Sequence, residues 1–118
     1  MRVFFQIIFF LLLGSYKAHS EEKFVNGLED VPLYENMVNN IDSLVLFDSS
    51  EGRVVSTEVF GNVKIKDVQD FYKSILPNLG WVKNESNYFS RGNETLEIRF
   101  STKDNITIVE FNLTPKIK

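Results

Sequence analysis

The stretch Val63 to Trp81, V-K-I-K-D-V-Q-D-F-Y-K-S-I-L-P-N-L-G-W, constrains this chain more than any other. Ile65, Val68, Phe71, Tyr72, Ile75, Leu76 and Leu79 recur there at the spacing of one helical face. No other segment beyond residue 20 repeats that period convincingly, so a single helix must cover whatever sheet the rest builds. Lys64, Lys66, Asp67, Asp70 and Lys73 form its solvated side. Lys64 stands where a capping side chain is wanted, unless Asn62 serves. Asp67 and Asp70 suit the positive end of the helix dipole. Gly80 suits the residue just past the last turn. Pro77 either ends the helix near Leu76 or distorts a last turn that reaches Leu79. Phe71 belongs to the buried face, and Phe71→Ala is expected to cost about 3–5 kcal/mol, as buried aromatic truncations do.

The remaining segments read as strands. Leu44-Val45-Leu46-Phe47, within Asp42 to Asp48, is a continuous apolar run and reads as a buried strand. Ser49 to Gly52 is a hairpin turn, and Arg53 to Phe60 is the partner strand. Val55, Thr57 and Val59 face one side of it, while Val54, Ser56, Glu58 and Phe60 face the other. After the helix come Trp81–Glu85, Asn87–Arg91, Thr95–Ser101 and Ile106–Thr114, separated by turn residues. Leu96, Ile98 and Phe100, and then Val109, Phe111 and Leu113, alternate with polar residues, the pattern of strands buried on one face. The fold class is therefore α+β, an antiparallel sheet with one packed helix in the order ββαββββ, over residues 41–115. Residues 21–40 are expected to be an extended segment laying Leu33, Tyr34 and Met37 against the domain, with at most a short helix over Tyr34 to Asn39. Residues 116–118 form a basic tail.

Residues 1–20 are expected to be an export signal rather than part of the fold. Arg2 precedes the apolar run Val3 to Leu13, and Ala18-His19-Ser20 places small residues at −3 and −1 of a cut before Glu21. Eleven residues are too few to span a bilayer, which takes about 20. The chain contains no cysteine, so no lipid anchor can form at the cut and no disulfide braces the domain. Past residue 20 there are 11 basic and 16 acidic residues, a net charge of −5. That balance, without a basic run, speaks against nucleic acid or anionic lipid as a partner. Four Asn-x-Ser/Thr triplets, at Asn84, Asn93, Asn105 and Asn112, read as turn and strand chemistry rather than as glycan sites.

The chemistry available is narrow. The one histidine, His19, lies inside the expected signal segment, which leaves the exported part without His or Cys. Nucleophile–histidine arrangements and the usual zinc, haem and iron–sulfur ligand sets are thereby excluded. The glycines form no phosphate-binding loop, so no cofactor is expected. Carboxylates alone support no catalytic assignment. Asp48, Glu51 and Arg53, around the first hairpin, are the candidate binding residues; the simpler reading is a solvated turn with Asp48 and Arg53 paired across it. Trp81 is expected to pack beneath the end of the helix.

Several stretches together resemble a family of small uncharacterised exported proteins of alphaproteobacteria. They are Asp30-Val31-Pro32-Leu33, Glu51-Gly52-Arg53-Val54 and Phe71-Tyr72 followed by Leu76-Pro77 and Leu79-Gly80-Trp81. The resemblance spans about Asp30 to Phe100. With the Asn-, Lys- and Ile-rich composition it points to an intracellular member such as a rickettsia. It implies a periplasmic or secreted location and brings no catalytic residue. The expectation is a non-enzymatic exported domain that binds or supports an envelope protein. The alternatives are a small-ligand binder or carboxylate-based hydrolase, using a groove between the helix and residues 30–40, and a secreted host-interaction factor.

Overall fold

A computed structural model describes residues 22–116; the expected signal segment lies outside them. The segments read as strands beyond residue 41 do form them, and three short strands that were not expected precede them. In chain order these are β1 (Phe24–Val25), β2 (Leu28–Pro32), β3 (Val38–Asn39), β4 (Val45–Ser49), β5 (Gly52–Gly61), the helix α1 (Ile65–Asn78), β6 (Val82–Glu85), β7 (Tyr88–Arg91), β8 (Glu94–Lys103) and β9 (Ile106–Pro115). Strands β3 to β9 make one antiparallel sheet in the order β3-β5-β9-β8-β7-β6, with β4 beside β3 on the same side of β5. The predicted fold class holds: β4, β5, α1 and β6 to β9 are the ββαββββ series.

The core lies on one face of this sheet. Val55 and Val59 of β5, Leu96 and Ile98 of β8, and Val109, Phe111 and Leu113 of β9 are almost completely buried. Their outward neighbours alternate with polar groups, among them Glu58, Glu97, Arg99 and Glu110. That is the division expected of a sheet covered on one side only.

Two elements provide the cover. The first is α1, which meets the sheet through Val68, Tyr72 and Leu76, an i, i+4, i+8 stripe with no more than 1% exposure. Its start has no side-chain cap on Lys64, as expected. Its end is a Schellman motif: Trp81 N–H donates to Leu76 C=O (3.1 Å) and Gly80 N–H to Pro77 C=O (3.1 Å). Gly80 adopts φ +92° there, which a side chain would oppose. Pro77 is accommodated one position before the helix ends, so the helix runs past Leu76.

The second covering element was expected to be a loop and is a two-stranded ribbon. β1 and β2 pair antiparallel around Asn26-Gly27 and bury Val25, Leu28 and Val31. Gly27 has φ +82°, and a Cβ there would lie 2.7 Å from a methyl of Val55. The ribbon can thus press its turn against β5 only because that residue has no side chain. No helix forms over Tyr34–Asn39; the segment turns at Asn36 (φ +71°) and continues into β3. Asn39 ties the ribbon to the sheet. Its Nδ2 donates to Phe24 C=O (3.0 Å) and its Oδ1 accepts from Asn26 N–H (2.9 Å).

Tyr72 joins the two covering elements. Its hydroxyl donates to Pro32 C=O (2.8 Å) and accepts from Tyr34 N–H (3.2 Å), and its ring makes edge contacts with Phe71 and Phe111. Burial pushes the phenol well above the ordinary tyrosine range, against a smaller opposing effect of the Tyr34 hydrogen bond. Phe71, by contrast, is half-buried between Tyr34 and Tyr72 rather than central. The helix presents Tyr72 directly to the sheet and leaves its neighbour at the margin.

Tyr72→Phe should therefore lower stability by about 1–3 kcal/mol in urea denaturation, because it strands the Pro32 and Tyr34 backbone groups. Tyr72→Ala should cost more than Phe71→Ala, because Tyr72 is fully buried and Phe71 only partly. The raised phenol also sets a pH signature. Its contribution is complete below about pH 10, the unfolded value, and is lost as pH climbs towards the higher folded value. Wild-type stability should fall more steeply above about pH 10 than that of Tyr72→Phe; parallel curves would rule the effect out.

Candidate functional site

Two features stand out, and they adjoin. One is a row of charged groups at the end of the sheet near the C-terminus of α1. Arg53 Nε donates to Glu94 Oε2 (2.8 Å), and Arg91 Nη1 donates to Asp30 Oδ2 (2.6 Å). The Glu94 hydrogen bond is the main reason the Arg53 guanidinium is held above its already high value. Arg91 also donates to Leu79 C=O (2.9 Å) and stacks over the Trp81 ring, 4.3 Å from guanidinium carbon to centroid. Trp81 is buried beneath the helix end, as expected, with its Nε1 unpartnered.

Of the candidate residues read from the sequence, only Arg53 belongs to this row. Asp48 lies directly across from Arg53 in the β4–β5 register, yet the guanidinium turns inward to Glu94. The expected Asp48–Arg53 pair is replaced by a longer-range one because β8 brings Glu94 to the same end of the sheet. Asp48 and Glu51 are both exposed at the hairpin, and Glu51 sits on its turn. Asp30, Arg91 and Glu94 were not singled out by the sequence, since their partners lie 41 and 61 residues away.

In chemical terms the row is a latch. Both carboxylates are occupied by arginines, which is how a structural ion pair differs from an acid/base pair waiting for a substrate. Among the described residues no group of three or more His, Asp or Glu is placed to hold a metal ion.

The second feature is β4, which overturns an expectation. Val45, Leu46 and Phe47 were read as buried and are 52%, 56% and 53% exposed. The reason lies in the layering. The ribbon's turn reaches only as far as Val55 and Leu44, so β4 projects beyond the covered part of the sheet. On its inner side β4 pairs with β5 over five consecutive residues without a bulge. The outer side is the edge of the sheet. Ile41, Leu44 and Val38 add further exposed apolar surface along the same edge.

Hollows are of less interest. One of about 170 Å³, lined by Tyr72, Lys73, Lys83, Phe89 and Phe100, lies between α1 and the sheet. A hollow of about 560 Å³ borders Leu33 to Val38, but no residue of α1 lines it, so it is not the expected groove between helix and loop. Among the described residues no helix is long and apolar enough to cross a membrane. Of the four Asn-x-Ser/Thr triplets, Asn112 lies within β9 with its Nδ2 shielded from solvent and its Oδ1 accepting from Ser56 Oγ (2.9 Å). No family model, no curated protein and no solved structure matches the chain.

Arg91→Met should cost about 1–3 kcal/mol, since it removes a charged hydrogen bond to Leu79 and the stacking on Trp81. Trp81 is the only tryptophan, so its fluorescence should change in the folded variant. Arg53→Ala, breaking a partly solvated pair, should cost less than about 1 kcal/mol.

Proposed function

We propose that this chain is a non-enzymatic exported domain, a binding or envelope-support module that takes its protein partner on the β4 edge. The observation that carries the reading is the exposure of three consecutive apolar residues on an edge strand. Exposed edges of this kind pair with other chains, and folded proteins ordinarily blunt them with charge, proline or a bulge. β4 has no bulge, lysine or proline, and its single charge, Asp48, stands near its end beside the hairpin turn, outside the Val45 to Phe47 run. The opposite edge of the sheet is β6, which carries Lys83, Asn84 and Glu85 and shifts register between Lys83 and Glu85. The β6 edge is the better defended of the two.

The neighbouring Arg53–Glu94 and Arg91–Asp30 pairs support the same reading from the chemical side. They brace the end of the sheet from which β4 projects. Binding by strand addition would draw affinity from backbone hydrogen bonds and specificity from the side chains at Val45, Leu46 and Phe47. The expected export signal places such contacts in the periplasm or outside the cell.

A photo-crosslinking residue at Phe47, introduced in the producing cell, should give covalent protein adducts. The same residue at Lys83, on the better defended edge, should give none. Equal yields from the two positions would defeat the proposal.

A further inference from the structure

We infer that the occupant of the β4 edge is a second copy of this chain, paired antiparallel about a twofold axis through Leu46. The inference rests on the edge being the binding surface, as proposed above, and adds the identity of the partner.

An edge strand offers a second strand alternate backbone N–H and C=O groups, and two identical strands meet antiparallel in an isologous, closed contact. The axis must then pass through a residue, and the side chains decide which one. Centred on Val45, the pairing sets Asp48 opposite the partner's Asp42, a like-charge contact that destabilises antiparallel pairs. Centred on Phe47, it sets Leu46 opposite an aspartate and Val45 opposite a serine. Centred on Leu46, it sets Leu46 opposite its own copy and Val45 opposite Phe47 twice. Asp48 then faces Leu44, and no two acids are opposed. Only this register gives every one of the three exposed apolar residues an apolar neighbour.

The faces agree as well. Leu46 is paired with Val55, whose side chain points into the core, so Leu46 lies on the helix-bearing side of the sheet. Val45 and Phe47 lie on the opposite side. A twofold axis perpendicular to the sheet keeps these sides distinct. Leu46 meets Leu46 on the helix-bearing side, beyond the reach of either helix, while Val45 and Phe47 meet on the open face. The product is one continuous fourteen-stranded sheet, from two seven-stranded sheets, with both helices on one side.

The surface involved is of suitable size. Ile41, Leu44, Val45, Leu46 and Phe47, each at least 37% exposed, lie along this edge. Together they leave on the order of 500 Å² of apolar side chain in water, at the upper end for the largest patch on a monomer. With backbone and hairpin flanks this approaches the roughly 800 Å² per partner of a standard interface.

The absence of cysteine from the chain makes a clean test possible. Leu46→Cys places one thiol on the proposed axis, within disulfide reach of its copy. Under mild oxidation, protein produced from the full chain should form a disulfide-linked species of twice the chain mass. Lys83→Cys, on the β6 edge, should stay monomeric. Sedimentation of the unmodified protein should show a dimer, and Phe47→Lys should shift it to monomer while circular dichroism remains unchanged. A monomer at every concentration, with Leu46→Cys crosslinking no faster than Lys83→Cys, overturns the inference. The two levels separate in the Phe47 photo-crosslink. Adducts of twice the chain mass support both, and adducts to a different protein alone refute the second copy but leave the edge reading standing. No adducts refute both.

Discussion

The hydroxyl of Tyr72 is the contact on which the arrangement of the covering layer depends. A helix alone is too narrow to close a seven-stranded sheet, and α1 packs chiefly over its β6–β8 side. The β1–β2 ribbon completes the layer and must be held at a fixed angle to the helix. Tyr72 does this by taking the Pro32 carbonyl and the Tyr34 amide on one oxygen, in a site from which water is excluded. In such surroundings an unmade hydrogen bond is expensive, so the geometry is strongly preferred. The ring of the same residue packs on Phe111 at the centre of the sheet. One side chain therefore registers helix, ribbon and sheet against one another.

The ribbon's reach sets the extent of the covered area, and that limit produces the surface feature of interest. Gly27 lets the ribbon turn settle onto Val55, with Leu44 at its side. Among the described residues nothing extends further, so β4 stands clear. The Arg53–Glu94 and Arg91–Asp30 pairs then fasten the end of the sheet around Trp81. Individually such partly solvated pairs contribute little. Their value lies in position: Arg91 links the last turn of the helix, the ribbon and the sheet at one point, and Arg53 ties the inner neighbour of β4 to β8. The edge is presented on a braced support.

Much of this was legible in the residues. The apolar stripe of α1 at Val68, Tyr72 and Leu76, Gly80 past its end and the alternation of Leu96, Ile98, Val109, Phe111 and Leu113 lie in the structure where their periodicity puts them. The ribbon was legible too, through Asn26-Gly27 between Val25 and Leu28, a strong local hairpin signal. It was obscured by the polar run around it and by Pro32. Arg53 was singled out for the wrong partner. Asp48 is its cross-strand neighbour and the nearest acid in sequence, whereas Glu94 becomes a neighbour only after β5, β9 and β8 have paired. The place of Phe71 was misjudged for a similar reason. Periodicity identifies a helical face but not the line along it that points straight down.

The sequence by itself determined the local structure. Helix, strands, turns and the inward face of each strand follow from side-chain period and backbone preference, which act over a few residues. It determined as well that the part beyond residue 20 has no His or Cys, and so lacks the chemistries that need them, because those depend on residue types alone. The tertiary structure decided which strand lies at the edge. Leu44-Val45-Leu46-Phe47 reads as buried, since an apolar run suggests cover on both sides. Burial, however, requires neighbours. β5 has two flanks, and the hairpin gives one to β4 while Val55 to Gly61 give the other to β9, about 50 residues later in the chain. Once that long-range pairing forms, no strand among the described residues remains for the outer side of β4, and an apolar strand is left exposed at the edge.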